Sequence, residues 1–361
     1  MALTRFRFGA TPFPSQVSQT WLEIWAQTWA EVQGLSLEIV WGTFSPTEQA
    51  TFDLLSLDSA STSKALDLSD LHSKARALYG DSKPTFGSET ELSALYYAWT
   101  PSVGLYRRSL WEQAEAGRGV DFWEDAADVA QILWQRFGVP IAYSVQANPQ
   151  GERQAVALVS AFGGQPTLAD ETPLLEALHF YQESVSPWAG IGQGDDEMAF
   201  LAGRAHYALA SLWTYRRAQS TFPMIADDVF LLAPFAGKAG GFVPPATLYR
   251  YIIPHTSRWP EKAHAFILET LARGAEMLTH SQTCLWPFFA PTQGALWTEG
   301  GLLMHDPFAS SPVDKLAPLL QAPAYNQIWP SSVAQGLVRL FQAVRSEGLS
   351  PEVALRRYPL K

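Results

Sequence analysis

The residues with most to offer chemically are flat rings. Fourteen tryptophans accompany 20 phenylalanines and 12 tyrosines, and two ordinary cores do not need that many indoles. Carboxylates and hydroxyls stand near some of them. Asp58 is followed by Ser59 and Ser61, Thr11, Phe13 and Ser15 follow an apolar run, Glu152 adjoins Arg153, and Asp195-Asp196-Glu197 precedes Met198. Patterns that mark an enzyme do not occur in the sequence. There is no G-x-S-x-G elbow, Gly237-Lys238 lacks the earlier glycine and the following Ser or Thr of a phosphate loop, and no G-x-G-x-x-G follows a strand. Two carboxylates flanking a glycosidic bond can come from residues distant in sequence, so a carbohydrate-active hydrolase stays open. The closest histidines are His255 and His264, with no H-E-x-x-H, and the acidic triplet lacks EF-hand spacing and reads as a helix start. No metal and no cofactor are expected. Cys284 is the single cysteine, which excludes an intrachain disulfide and suits a buried thiol.

These residues need elements to hold them. Leu3–Phe8 alternates arginine with phenylalanine and reads as a strand. Trp21, Leu22, Trp25, Thr28 and Trp29 recur at helical spacing, so the three indoles form a core stripe. Leu35–Trp41 and Phe52–Asp58 are further strands, and Leu92–Trp99 another. Strands alternating with helices indicate parallel βαβ units, whose ligands sit beyond the carboxyl ends of the strands. Farther on, helices are expected over Ser109–Ala116, Phe122–Phe137, Ala155–Phe162, Pro173–Ser184, Ser257–Gly274 and Val333–Glu347.

A length of 361 residues suggests two domains at roughly 150 residues each. The formal net charge of −10 argues against nucleic acid or anionic lipid as a partner. No uncharged apolar run reaches the roughly 18 residues that a membrane-spanning helix needs. The start, Met1-Ala2-Leu3-Thr4-Arg5, has no basic stretch leading into an apolar core, so no signal peptide is expected within it.

The order of segments carries a resemblance. Phe52–Asp58 leads into Leu66-Asp67-Leu68-Ser69-Asp70-Leu71. Gly104-Leu105-Tyr106-Arg107-Arg108-Ser109-Leu110-Trp111 looks like a crossover, and Asp121-Phe122-Trp123-Glu124-Asp125 like a helix start. Met198-Ala199-Phe200-Leu201-Ala202-Gly203-Arg204-Ala205-His206-Tyr207-Ala208 through Trp213 is the most specific stretch. Gly240-Gly241 then precedes Ile252-Ile253-Pro254-His255-Thr256-Ser257, and Ser350-Pro351-Glu352-Val353-Ala354-Leu355 lies near the end. Together these resemble the sugar-type, maltose-binding-protein-like solute-binding proteins of ABC importers. The chain departs from them in Arg107-Arg108, where Tyr-Asn is usual.

The resemblance implies an α/β, two-lobed periplasmic-binding-protein fold of type II, each lobe a mainly parallel sheet flanked by helices, with a ligand cleft at the hinge. By analogy residues 1–104 plus 248–297 form one lobe and 105–247 plus 298–361 the other. It implies a monomer that captures a small carbohydrate, a disaccharide or a glycoside such as a compatible solute, and delivers it to a membrane permease. It also implies a periplasmic or extracellular location, with a signal peptide or lipid anchor already removed. An acidic cleft would equally serve a polyamine.

Sugars offer apolar ring faces and hydroxyl rims, which aromatic planes and carboxylates match. Trp213, following the motif-bearing helix, is the first candidate for stacking. Trp41 and Trp99 end predicted strands and Trp329 sits before Pro330; each suits either the cleft or packing. Asp58 with Ser59 suits either a sugar rim or a helix cap. Thr11, Phe13 and Ser15 are candidates to line the cleft, and Glu152 and Arg153 occupy a loop that matches a ligand-contacting stretch of the family. Gly240 and Gly241 suit close backbone approach or a hinge, and Arg216 and Arg217 a solvated surface.

Overall fold

The structure, a computed structural model, describes residues 4–13, 16–58, 64–79, 92–114, 120, 122–168, 170–190, 196–232, 235, 237, 246–280, 286–287 and 329–360. Ser15, Ser59, Asp195, Gly240, Gly241 and Cys284 lie outside the described residues. The chain divides into two compact units, Met1–Thr100 with Thr247–Ser310, and Pro101–Ala246 with Ser311–Lys361.

In the first unit, strand β1 (Thr4–Ala10) is followed by helix α1 (Gln16–Val32), strand β2 (Leu35–Trp41), the short helix α2 (Pro46–Gln49) and strand β3 (Leu54–Leu57). β1 pairs in parallel with β2 on one side and with β3 on the other. Alternation along β1 sends Phe6 and Phe8 into the core, while Arg5 and Arg7 reach Glu38 on β2 at 2.6 and 3.0 Å. α1 buries the expected tryptophan stripe: Trp29 meets Phe6 edge-on at 5.5 Å, and Trp25 Nε1 donates to Thr270 Oγ1 at 3.0 Å. Thr270 belongs to the helix Pro260–His280, whose Phe266 packs against Phe8 and Trp29. Each fully buried ring of this kind contributes about 1.5–3 kcal/mol. Strand Ala246–Ile252 joins the sheet antiparallel to β3, and helix α3 (Ser69–Tyr79) buries Leu71 and Ala75.

The strand expected to end at Trp99 runs on as β4 (Leu95–Arg107). Ala98 and Trp99 pair with Trp286–Pro287 in the first sheet, while Ser102–Tyr106 pair antiparallel with Tyr207–Ser211 and Gly104–Arg107 with Val229–Leu232 in the second. The first half of the stretch that looks like a crossover, Gly104–Arg107, is therefore strand, because partners on both sides take up its backbone groups and Val103 and Leu105 are buried, while Arg108–Trp111 begin a helix. The first sheet is mainly parallel around β1, as expected, with antiparallel pairs at Ala246–Ile252 and Trp286–Pro287, and in the second sheet β4 adds antiparallel pairs to the parallel pairing of Ile141–Ala142 with Tyr207–Ala208.

In the second unit, helices α4 (Arg108–Gln113) and α5 (Trp123–Phe137) lead to the short strand β5 (Ile141–Ala142). Helices α6 (Pro149–Ala161), α7 (Thr172–Phe180) and α8 (Asp196–Leu201) follow, then strand β6 (Tyr207–Ser211), helix α9 (Leu212–Thr221) and strand β7 (Val229–Leu232). Back in the first unit, Ala246–Ile252 is β8, Pro260–His280 is α10 and Trp286–Pro287 is β9. The chain closes in the second unit with α11 (Ser331–Ser346) and α12 (Pro351–Arg357), the latter capped by Ser350 Oγ as its Ser-Pro-Glu start suggests. The second core gathers Trp123, Tyr143, Tyr207 and Phe235 around mutually edge-on or stacked rings, with α6 and α11 packed on it. Among the described residues no helix is long and apolar enough to cross a membrane.

Candidate functional site

In each unit the parallel strands end on a polar edge. In the first, Ala10 stands level with Trp41 on β2 and Ser56 on β3. Thr11 N donates to Ser56 O at 2.8 Å and Gly42 N to Ala10 O at 3.0 Å, so the three chain exits lie side by side. Thr11 and Phe13 are buried there, and Phe13 meets Tyr249 edge-on at 4.7 Å and Trp41 at 5.8 Å. Trp41 is half-buried and donates from Nε1 to Glu23 Oε1 on α1 at 2.7 Å, so its ring is held by packing and a charge-assisted bond. Asp58 is exposed just past β3.

Four residues at this edge, Arg250, Tyr96, Ser56 and Tyr97, are not among the candidates that the sequence offers. Arg250 on β8 pairs with Leu57 in register, and its buried guanidinium lies 5.7 Å over the Tyr96 ring while Nη1 donates to Tyr96 Oη at 3.3 Å. A lone arginine between Tyr249 and Tyr251 in an apolar strand was the available signal. Beside it, Ser56 Oγ bonds Tyr97 Oη at 2.8 Å, and burial pushes the Tyr97 phenol well above its ordinary pKa, so it stays protonated.

In the second unit β5 runs parallel to β6, with Ile141 beside Tyr207 and Ala142 beside Ala208. Their carboxyl ends lead into Tyr143–Val145 and Leu212–Trp213, and α6, α8 and α9 all begin there. α6 starts six residues earlier than its apolar spacing suggests, because Asn148 Oδ1 accepts from Gly151 N at 2.8 Å and Pro149 opens the first turn. Glu152 and Arg153 therefore sit on a helix, not in a loop. Trp213 is separated from α8 by β6 and stands half-buried in the first turn of α9, where Ser211 Oγ accepts from Thr214 N.

An outer row of side chains joins these positions. Arg153 Nη2 lies 3.5 Å from Glu197 Oε1, and the Thr214 hydroxyl donates to Glu197 Oε2. Glu152 and Trp213 precede Arg153 and Thr214 by one residue, and consecutive helical side chains point about 100° apart, so the bonded row joins α6, α8 and α9 without including either candidate. Trp213 itself is partly exposed, and a flat ring of that kind suits the apolar face of a polyhydroxylated ligand.

An inner row lies beneath. Asp196 is buried, and its Oδ2 accepts from Ser144 N at 2.7 Å, Ser144 Oγ at 2.8 Å and Gln154 Nε2 at 2.9 Å. Gln154 Oε1 in turn accepts from Val145 N at 3.0 Å. Val145 has φ 45°, a left-handed conformation that costs a β-branched residue about 1–3 kcal/mol.

The remaining candidates divide. Trp329 is half-buried against the core of the second unit, and only the backbone of Trp99 is described. His206 is turned into that core, where Nδ1 accepts from Trp111 Nε1 at 3.1 Å and burial lowers its pKa to about 3. Among the described residues no three His, Cys, Asp or Glu side chains stand close enough to hold a metal ion.

No protein-family model matches the sequence, and no curated protein sequence matches it. Solved structures do match its fold. Maltose-bound MalE3 of T. maritima is similar with a TM-score of 0.73 at 14% identity, over 98% of both chains. An ABC transporter solute-binding protein from Agrobacterium radiobacter K84, in complex with ribitol, has a TM-score of 0.73 at 13% identity, over 98% of this chain and 97% of its own. The mannobiose-bound protein CpMnBP1 has a TM-score of 0.71 at 14% identity, over 99% of both. These neighbours are binding proteins, and the chain described here has the fold of the periplasmic solute-binding proteins of ABC transporters.

Proposed function

We propose that this protein is the solute-binding component of an ABC importer, that it captures a small carbohydrate or polyol outside the cytoplasmic membrane, and that it hands the ligand unchanged to a membrane permease. The observation that carries this reading is the full-length fold likeness to proteins whose structures hold maltose, ribitol and mannobiose. Two features of the second edge support it: Trp213 is half-buried in the first turn of α9, and the Arg153–Glu197–Thr214 row joins the three helices that begin there. In the first unit, Asp58 and the Thr11 edge would supply further polar contacts. The divided lobes expected from the resemblance belong to the same proposal, as do a monomeric state and the absence of catalysis.

A panel of mono- and disaccharides and polyols, maltose, mannobiose and ribitol among them, tests the reading by tryptophan fluorescence and thermal shift. A ligand that binds at about micromolar level, raises Tm and is recovered intact supports it. Release of reducing ends from any oligosaccharide overturns it in favour of a hydrolase.

A further inference from the structure

Consecutive residues on two helices serve the two rows at the second edge. On α6, Arg153 reaches Glu197 in the outer row while Gln154 reaches Val145 and Asp196 in the inner one. On α8, Glu197 faces Thr214 while Asp196 takes Ser144. The two rows are therefore joined through the backbones of α6 and α8. The inner row is closed from beneath by α11: Arg345 Nη1 donates to Ser144 O at 3.0 Å, its Nη2 to Gly190 O at 2.9 Å, and Gln342 Nε2 to Val145 O at 3.4 Å. The N–H and the carbonyl of both Ser144 and Val145 are each bound to a side chain, at the one place among the described residues where a valine is held at positive φ. A backbone strained and bonded on every side is over-determined.

We infer that Arg345 and Gln342 are positioning residues of the ligand site. They hold the Ser144–Val145 turn, through it Asp196 and Gln154, and so fix Glu197, Arg153 and the Trp213 turn in the geometry that takes up ligand. Without that hold the turn relaxes, and only a fraction of molecules presents the outer row correctly; apparent affinity falls by that fraction. The inference rests on the carbohydrate-binding reading for its ligand, and on hydrogen bonds alone for its geometry.

The test uses Arg345→Met, Arg345→Lys and Gln342→Ala in the full chain, with two readouts. Amide hydrogen exchange at Ser144 and Val145 needs no ligand, and titration with maltose, mannobiose and ribitol measures affinity. Arg345→Met is expected to speed exchange at both amides by about tenfold or more, to leave Ala208 and Leu209 on β6 unchanged, and to weaken binding by about tenfold. Arg345→Lys, which keeps the charge but loses the planar fork that spans the two carbonyls, falls between. Unchanged exchange at Ser144 and Val145 overturns the inference, as does faster exchange with undiminished affinity. If Arg345→Met does not fold, Gln342→Ala answers the same two questions. If the wild type binds none of the panel, the carbohydrate reading falls separately, and the exchange readout still decides whether α11 holds the turn.

Discussion

Asp196 and Arg345 grip the same residue from its two ends. Asp196 takes the N–H and the hydroxyl of Ser144, and Arg345 donates to its carbonyl. Between a buried carboxylate and a guanidinium stands one residue, which gives its N–H from one peptide group and its carbonyl from the next. That arrangement satisfies the carboxylate without direct contact with the cation, and it ties the loop after β5 to α8 on one side and to α11 on the other.

Replacing Asp196 tests the grip. Asp196→Ala leaves the Ser144 and Gln154 donors without their acceptor and should destabilise the protein by about 3 kcal/mol. Asp196→Asn keeps one acceptor oxygen and should cost about half as much. Urea unfolding with an unchanged m-value is the measurement.

Trp213→Ala should weaken carbohydrate binding by about tenfold or more without altering circular dichroism, because the ring is half-buried in a first helical turn. Isothermal titration with the best ligand of the panel reads the effect. Undiminished affinity would assign the ring to packing alone.

His206 predicts a pH dependence. Its folded pKa is lowered to about 3 by burial, below the unfolded value. The unfolded chain therefore binds a proton that the native state refuses, and stability falls as pH drops from about 6.5 towards 3, by about 1.4 kcal/mol per pH unit for this one site. Between pH 6 and 5, above the carboxylate range, His206→Asn should flatten the slope of unfolding free energy against pH, and the wild type should keep it.

Gly151→Ala should be poorly tolerated. A Cβ there would stand 1.8 Å from Gln146 O and 2.5 Å from Gln146 N, both backbone, so the first turn of α6 would have to back away from the loop. A loss of about 2–3 kcal/mol follows, with weaker ligand binding because Glu152 and Arg153 ride on that turn. Gly163→Ala is the control, since nothing stands within 4 Å of its Cβ position and only its φ of +88° opposes the change.

Much of the scaffold was legible beforehand because its signals are local. The Trp21, Trp25, Trp29 stripe needed only helical spacing to be read as core. Alternation of arginine with phenylalanine in Leu3–Phe8 identifies the strand that forms over Thr4–Ala10, and the strand expected over Leu35–Trp41 forms with the same bounds. α6 was read too short because its first turn is polar and rests on an Asn-Pro start, not on apolar spacing. β4 was read too short because Pro101 and Gly104 look like breakers, and only pairing with β6 and β7 keeps that stretch extended.

The sequence by itself determined the order of elements, the two-unit scale of the chain and the resemblance that named its fold, because spacing, caps and segment order act over a few residues each. Tertiary structure alone decided the second edge. Ser144 meets Asp196 across 52 positions and Arg345 across 201, and no local pattern encodes partners that far apart. Trp213 was legible as a candidate from its motif. That Glu197 links its helix turn to Arg153, and that Asp196 and Arg345 lie beneath, emerged only once the parallel strands β5 and β6 had brought three helix starts together.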